Sequence, residues 1–152
     1  MVKIVLFCFI VCGIYSLDQA TKYLALTMLS PGESIPVIDN IFHLTLVFNT
    51  GAAFGIMKGM PLFFVAITAV SIVFIGYFLF FRTKDLPVLE VLSLCFIAGG
   101  ALGNLTDRLR FSYVVDFFDF RVWPVFNVAD SFITIGAVML FITLILPKKK
   151  EL

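Results

Sequence analysis

Four apolar stretches, at about residues 4–29, 61–81, 86–105 and 126–146, constrain this chain more than any other feature. Each is long enough to cross about 30 Å of hydrocarbon at about 1.5 Å per residue. A helix satisfies its backbone polar groups internally, so a helix is the form such a run takes in lipid. The expected fold is an all-α membrane protein, a bundle of four transmembrane helices forming one integral-membrane domain over 1–152. Composition agrees: 61% of the residues are hydrophobic, 19 are Phe and only 14% are charged, outside the range of soluble domains. The first run begins like a signal sequence, with Lys3 as its basic head. It has no small-x-small cleavage site and continues through "DQATKYLALTML", so it reads as a retained span.

An even number of spans puts both termini on one side. Lys3, Arg82, Lys84 and Lys148 to Lys150 then share that side, which the positive-inside rule makes cytoplasmic. Segments 30–60 and 106–125 face outward. A formal net charge of +1, with basic residues scattered except at the tail, gives no field for nucleic acid. Cys8, Cys12 and Cys95 lie in apolar runs. Their odd number and lack of ligand spacing indicate neither a disulfide framework nor a metal site, and they read as small packing residues.

Polar residues within such spans are functional by default. Asp18 stands about 22 Å along the first helix from Lys3, in its outer half, and Lys22 follows at i+4 on the same face. The third span ends in "GGALGNLTDRLR" and the fourth begins with "FNVADS". Asn104, Asp107, Arg108, Asn127 and Asp130 therefore gather at the outer end of the bundle. The outer segment "NIFHLTLVFNTGAAFG" alternates Phe42, Leu44, Leu46 and Phe48 with His43, Thr45, Val47 and Asn49, the period of a half-buried strand. A small outer β cradle is expected there, with His43 on a strand face. The glycines from Gly51 to Gly55 either let backbone approach a ligand closely or form an ordinary turn. In "YVVDFFDFRVWP" the carboxylates of Asp116 and Asp119 sit among Val, Phe and Trp. This segment reads as a short strand or an interfacial stretch, with Phe117, Phe118 and Trp123 at the headgroup level.

Two carboxylates brought to about 3 Å cannot both ionise, so the pair holds one proton. One then activates water while the other protonates a carbonyl oxygen, which is the aspartic-protease arrangement and needs no metal and no Ser or Cys nucleophile. A lone histidine makes no metal site, and no serine has a convincing base. Asp107 adjoins Arg108 and Asp18 is one turn from Lys22, so each has a cation to keep it ionised and structural. Asp119 is expected to face water. Asp116 and Asp130 have no adjacent cation and are the candidate pair; in the competing reading Asp130 is only a helix N-cap or a polar packing residue. An ion-coupled transporter fits less well, since the carboxylates cluster at one membrane face and no inverted repeat is present. A scaffold subunit would leave the polar clusters without a purpose.

Five blocks occur in order between the four spans: "DQATK" (18–22), "FNTGAAFG" (48–55), "GGALGNLTDR" (99–108), "VVDFFDF" (114–120) and "FNVADS" (126–131). In these blocks the chain resembles the lipoprotein signal peptidases, or signal peptidase II, over essentially its whole length. The resemblance implies an aspartyl endopeptidase that removes signal peptides from bacterial prolipoproteins. It would cleave before a diacylglyceryl-modified cysteine at the outer face of the cytoplasmic membrane. It places the catalytic carboxylates at Asp116 and Asp130, in the "VVDF" and "FNxAD" blocks. The supporting polar residues map to Asp18, Lys22, Asn49, Gly51, Asn104, Asp107, Arg108 and Asn127. The implied partners are lipid-modified prolipoproteins, membrane lipid and globomycin-type inhibitors, acting on a monomer with no metal or other cofactor. The connection between the two catalytic blocks, "FFDFRVWPVFNVA", is short here.

Overall fold

Hydrocarbon length and apolar content produce four long helices, α1 (Val2–Met28), α2 (Pro61–Tyr77), α3 (Val88–Phe111) and α4 (Val128–Ile145). The computed structural model describes residues 2–51, 57 and 59–145, with side chains from Ile4 onward. The glycine run beyond Gly51 and the basic tail, both used in the sequence reading, lie outside the described residues, as does the side chain of Lys3. Pro61 opens α2, where its missing N–H would have had no partner in any case. A π-helical turn, Phe78–Arg82, extends α2 to a span of 22 residues.

Helix α3 is the central element: half of its span window is buried inside the protein, against 22%, 11% and 17% for the windows of α1, α2 and α4. Its glycines explain how neighbours come so close. A Cβ at Gly99 would stand 2.8 Å from Ile14 Cβ on α1, and one at Gly100 would stand 2.8 Å from Ile133 Cγ1 and overlap the Ala129 carbonyl on α4. One at Gly103 would overlap Asp18 Oδ2. Small residues of this kind let helix backbones approach in lipid, where no hydrophobic force drives them together. An apolar cluster of Val11, Ile75, Leu79, Cys95 and Ala98 joins α1, α2 and α3. Cys95 is fully buried in it, whereas Cys8 and Cys12 point outward and do not pack as expected.

Above the bundle lies a three-stranded antiparallel sheet of order β1 (Ser34–Ile38), β2 (Phe42–Asn49) and β3 (Val114–Asp119). Strand β2 matches the expected alternating segment, and β3 answers the choice left open for the second outer segment. The edge strand β1 is exposed along its whole length and contains Pro36, so it carries no alternation by which it could be read. Leu46, Val115 and Phe117 bury against Ala25 of α1, Leu29 just beyond its end and Val128 of α4, seating the sheet on the outer ends of two helices.

Three expectations are corrected. Helix α3 runs to Phe111 rather than ending near 105. Arg108 and Arg110 end the apolar run, yet cations suit the last turn of a helix, and Ser112 with φ 63° closes it. Phe117 is 4% exposed in the sheet core and not at the headgroup level, and Phe118 packs beside it; of that group Trp123 is the exposed one. The alternation in β2 is interrupted by a register shift between Leu44 and Val47. His43 pairs with Asp119, while Val47 pairs with Asp116, and residues directly opposite share a face. Asp116 and Asp119 are three positions apart and lie on opposite faces. The bulge therefore turns Val47 and Asn49 onto the Asp116 face and leaves His43 on the other, a use of bulges common beside active sites.

Candidate active site

One buried ammonium organises the outer end of the bundle. Lys22 Nζ donates to Asp18 Oδ2 at 2.9 Å, to Asp107 Oδ2 at 2.8 Å and to Asn104 Oδ1 at 2.9 Å, using all three of its protons. The three charged side chains are at most 3% exposed. Each carboxylate is then satisfied further: the Ala129 N–H at the start of α4 donates to Asp18 Oδ1 at 2.9 Å, and the Val115 N–H of β3 donates to Asp107 Oδ2 at 3.1 Å. Gln19 Nε2 donates to Asp107 Oδ1 at 3.1 Å and to Asp18 Oδ2 at 3.2 Å. The cluster thereby ties α1, α3, α4 and β3 together. Removing one partner from a buried pair of this kind costs about 3–5 kcal/mol.

Asp107 is thus paired with Lys22, 85 positions away, and not with adjacent Arg108. Consecutive residues on a helix point about 100° apart and cannot face each other. Arg108 instead lies over the Phe64 ring at 5.0 Å and donates to the Gly51 carbonyl at 3.4 Å. Asp119 does not face water either. It is 5% exposed, accepts from Thr45 Oγ1 at 2.8 Å and pairs with Arg121 at 3.0 Å.

Helix α4 begins with a reciprocal cap. The Asp130 N–H donates to Asn127 Oδ1 at 2.9 Å, and the Asn127 N–H approaches Asp130 Oδ2 at 3.4 Å. Asn127 is the N-cap and Asp130 stands three residues on, the pattern of a capping box. Capping does not exhaust Asp130, because its Oδ1 also accepts from Asn104 Nδ2 at 2.7 Å. Asp116, on β3, accepts from Asn127 Nδ2 at 2.7 Å and from Asn49 Nδ2 at 2.9 Å. Asn127 therefore contacts both carboxylates of the candidate pair.

Asp116 and Asp130 line the same cavity of about 870 Å³, together with Asn49, Gly51, Asn104 and Arg108. Its other walls are apolar and include Phe64, Phe120, Trp123 and Ile133. Burial pushes the Asp116 carboxyl up to about 7, and the negative charge of Asp130 adds to the rise; the Asn49 and Asn127 amides oppose it. One carboxyl ready to hold a proton near neutrality, beside a second carboxylate, suits general acid and base work on a carbonyl. Among the described residues no group of three or more His, Cys, Asp or Glu side chains is placed to hold a metal ion.

All ten residues singled out from sequence fall in this region, and each bonds to another of the ten; Arg108 joins through Gly51, whose carbonyl accepts from Arg108 and whose N–H donates to Asn49. Sequence reasoning missed Gln19 and Gly103, although both stand inside the quoted blocks. A glutamine in an apolar helix next to Asp18 was a signal for the first. For the second it was a glycine one turn before Asp107.

The sequence profile of the family described as Signal peptidase (SPase) II matches residues 10–146. A lipoprotein signal peptidase of Moorella thermoacetica is 46% identical over 138 residues, covering 91% of each chain. One from Caldanaerobacter subterraneus subsp. tengcongensis is 52% identical over 134 residues, 86% of this chain and 90% of that one. A bacterial membrane enzyme solved by the in meso method at 2.3 Å resolution superposes with a TM-score of 0.87 and 34% identity, covering 96% of this chain and 92% of that one. With 137 consecutive residues inside the family profile and the same fold in a solved bacterial membrane enzyme, the chain belongs to the signal peptidase II family, the lipoprotein signal peptidases.

Proposed function

We propose that Asp116 and Asp130 are the catalytic pair with which this chain hydrolyses the signal peptide bond of prolipoproteins. As a signal peptidase II the protein is a multi-pass membrane aspartic peptidase that cleaves prolipoprotein signal peptides. The observation that supports the pair is the convergence of two carboxylates in one cavity with three asparagine amides aimed at them. In the reaction one carboxylate accepts a proton from water as its oxygen bonds to the scissile carbonyl carbon. The other gives its proton to the carbonyl oxygen. When the tetrahedral intermediate collapses, the C–N bond breaks, the leaving amine takes the first proton, and the carbonyl re-forms as the second proton returns to its donor. The pair ends as it began.

The supporting set is Asp18, Lys22, Asn49, Gly51, Asn104, Asp107, Arg108 and Asn127. Our reading has both termini in the cytoplasm, the site at the outer membrane face, and residues 1–152 as one monomeric domain. The substrate is cut before a diacylglyceryl cysteine, and globomycin-type peptides compete for the same cavity. The apolar walls favour a lipid-bearing substrate, since each buried acyl CH₂ contributes about 0.8 kcal/mol. Membrane anchoring also fixes the depth of the scissile bond, and positioning lowers a barrier without new chemistry. The test is a gel assay in detergent micelles with no added metal or nucleotide. A diacylglyceryl prolipoprotein is expected to shorten, and its unlipidated form at matched concentration to be cut at least about tenfold more slowly. Equal rates for the two forms would remove the lipid from the recognition element.

A further inference from the structure

Three asparagines present amino groups to the two carboxylates, and an amide can be turned end for end with little change of shape. A carboxyl that gains and loses a proton accepts either end, so a group that donates and cannot accept is what holds the amide in one orientation throughout. For Asn49 that group is the Gly51 N–H, which donates to its Oδ1 at 3.0 Å; for Asn127 it is the Asp130 N–H, at 2.9 Å. Both are backbone. For Asn104 the group is Lys22 Nζ, which donates to its Oδ1 at 2.9 Å while the Asn104 amino group donates to Asp130 at 2.7 Å. Lys22 does not line the cavity, and its three protons go to Asp18, Asp107 and Asn104.

We propose that Lys22 is a positioning residue for the peptidase reaction: by holding the Asn104 amide with its N–H₂ on Asp130, it keeps Asp130 as the carboxylate that takes the proton of water, while Asp116 carries the proton given to the carbonyl oxygen. The proposal rests on the assignment of Asp116 and Asp130 above. The two positions differ in the required sense. Asp130 lies in the first turn of α4, where unpaired N–H groups and the helix dipole favour an anion. Asp116 lies mid-strand and is 1% exposed. The charged groups around Lys22 and the pair are Asp18 from α1, Asp107 and Arg108 from α3, Asp116 from β3 and Asp130 from α4. Arg108 is therefore the cation that stays beside the pair when Lys22 is replaced.

The test measures kcat and KM against pH for the full chain in micelles, with a diacylglyceryl prolipoprotein as substrate. In Lys22→Met, Asn104 Oδ1 loses its charged donor and keeps only the Asn127 amino group at 3.1 Å, so the amide is held less firmly with its amino group on Asp130. We expect kcat to fall about 10- to 100-fold, as for loss of a hydrogen bond to a charged group, with KM changed less than about threefold. The basic limb of the profile should move to higher pH, because a cation and a donor have both been lost. Lys22→Met/Asp107→Asn, which keeps the net charge of the cluster, should show the same shift even where the single variant folds poorly. Asn104→Asp retains an acceptor for Lys22, takes the amino group from Asp130 and adds a carboxylate beside it, and both changes should move the limb the same way. Wild-type kcat and an unmoved basic limb in the folded fraction of these variants, whatever their thermal stability, would show a merely structural lysine and overturn the proposal. An active Asp116→Asn or Asp130→Asn variant would instead overturn the pair on which it rests.

Discussion

Replacing Gly103 by alanine tests the closest approach in the bundle. The added methyl would overlap Asp18 Oδ2, stand 2.9 Å from Asp18 Cγ and 3.4 Å from Ala129 Cβ. Asp18 cannot retreat freely, because Lys22 and the Ala129 N–H hold its two oxygens from opposite elements at 2.9 Å each. Either α1 and α3 separate, or one of these bonds is lost. Overpacking costs about 1–3 kcal/mol and the loss of one hydrogen bond to a charged group about 1.5–3 kcal/mol. Either route costs about 1–3 kcal/mol, which lowers Tm by about 3 °C or more in a chain of this length. Thermal unfolding of the purified variant in micelles measures it, with Gly13→Ala as the control: Gly13 has no atom within 4 Å of an added Cβ. That substitution should be neutral or stabilise by up to about 1 kcal/mol. A Gly103→Ala protein melting within about 2 °C of the parent would refute the close contact of α1 with α3, and with it the rigid placement of Asp18.

Asp116→Asn and Asp130→Asn should each lower kcat by at least about 10²-fold while leaving Tm near that of the parent, since neither carboxyl alone completes the acid and base roles; near-normal cleavage by either variant would end the dyad assignment. Activity should decline as pH rises through about 7. A carboxyl raised to that value keeps its proton below it and loses it above, and an enzyme fully active at pH 9 would contradict the need for the shared proton. Reporter fusions after Arg110 should register the outer side and fusions after Lys84 the cytoplasm, and a reversal of either would discard the four-span orientation.

What the sequence by itself determined is what depends on local chain properties. Span length is set by hydrocarbon thickness, so the four helices could be read from apolar runs alone, with ends uncertain by a turn or two where charged residues such as Arg108 continue a helix beyond the run. Asp18 and Lys22 lie four positions apart on one helix, and that spacing alone predicted their ion pair. Asn127 and Asp130 have the spacing of a capping box, yet the cap became legible only with the first residue of α4 in place. The tertiary structure decided which groups meet across the chain. Asp107 pairs with Lys22 rather than with its neighbour Arg108 because the rotation of α3 about its axis is set by the glycine contacts with α1 and α4, which no local pattern encodes. The face of β2 that carries Asn49 depends on a bulge, and a bulge arises from the register against β3, a partner some seventy residues away. Asp116 and Asp130 share a cavity for the same reason: the strand that holds one is paired to β2 and seated on α1, while the helix that holds the other is capped by Asn127 and by Asp18 of α1. Convergence of this kind comes from packing between distant segments, and residue types in sequence order carry only its ingredients.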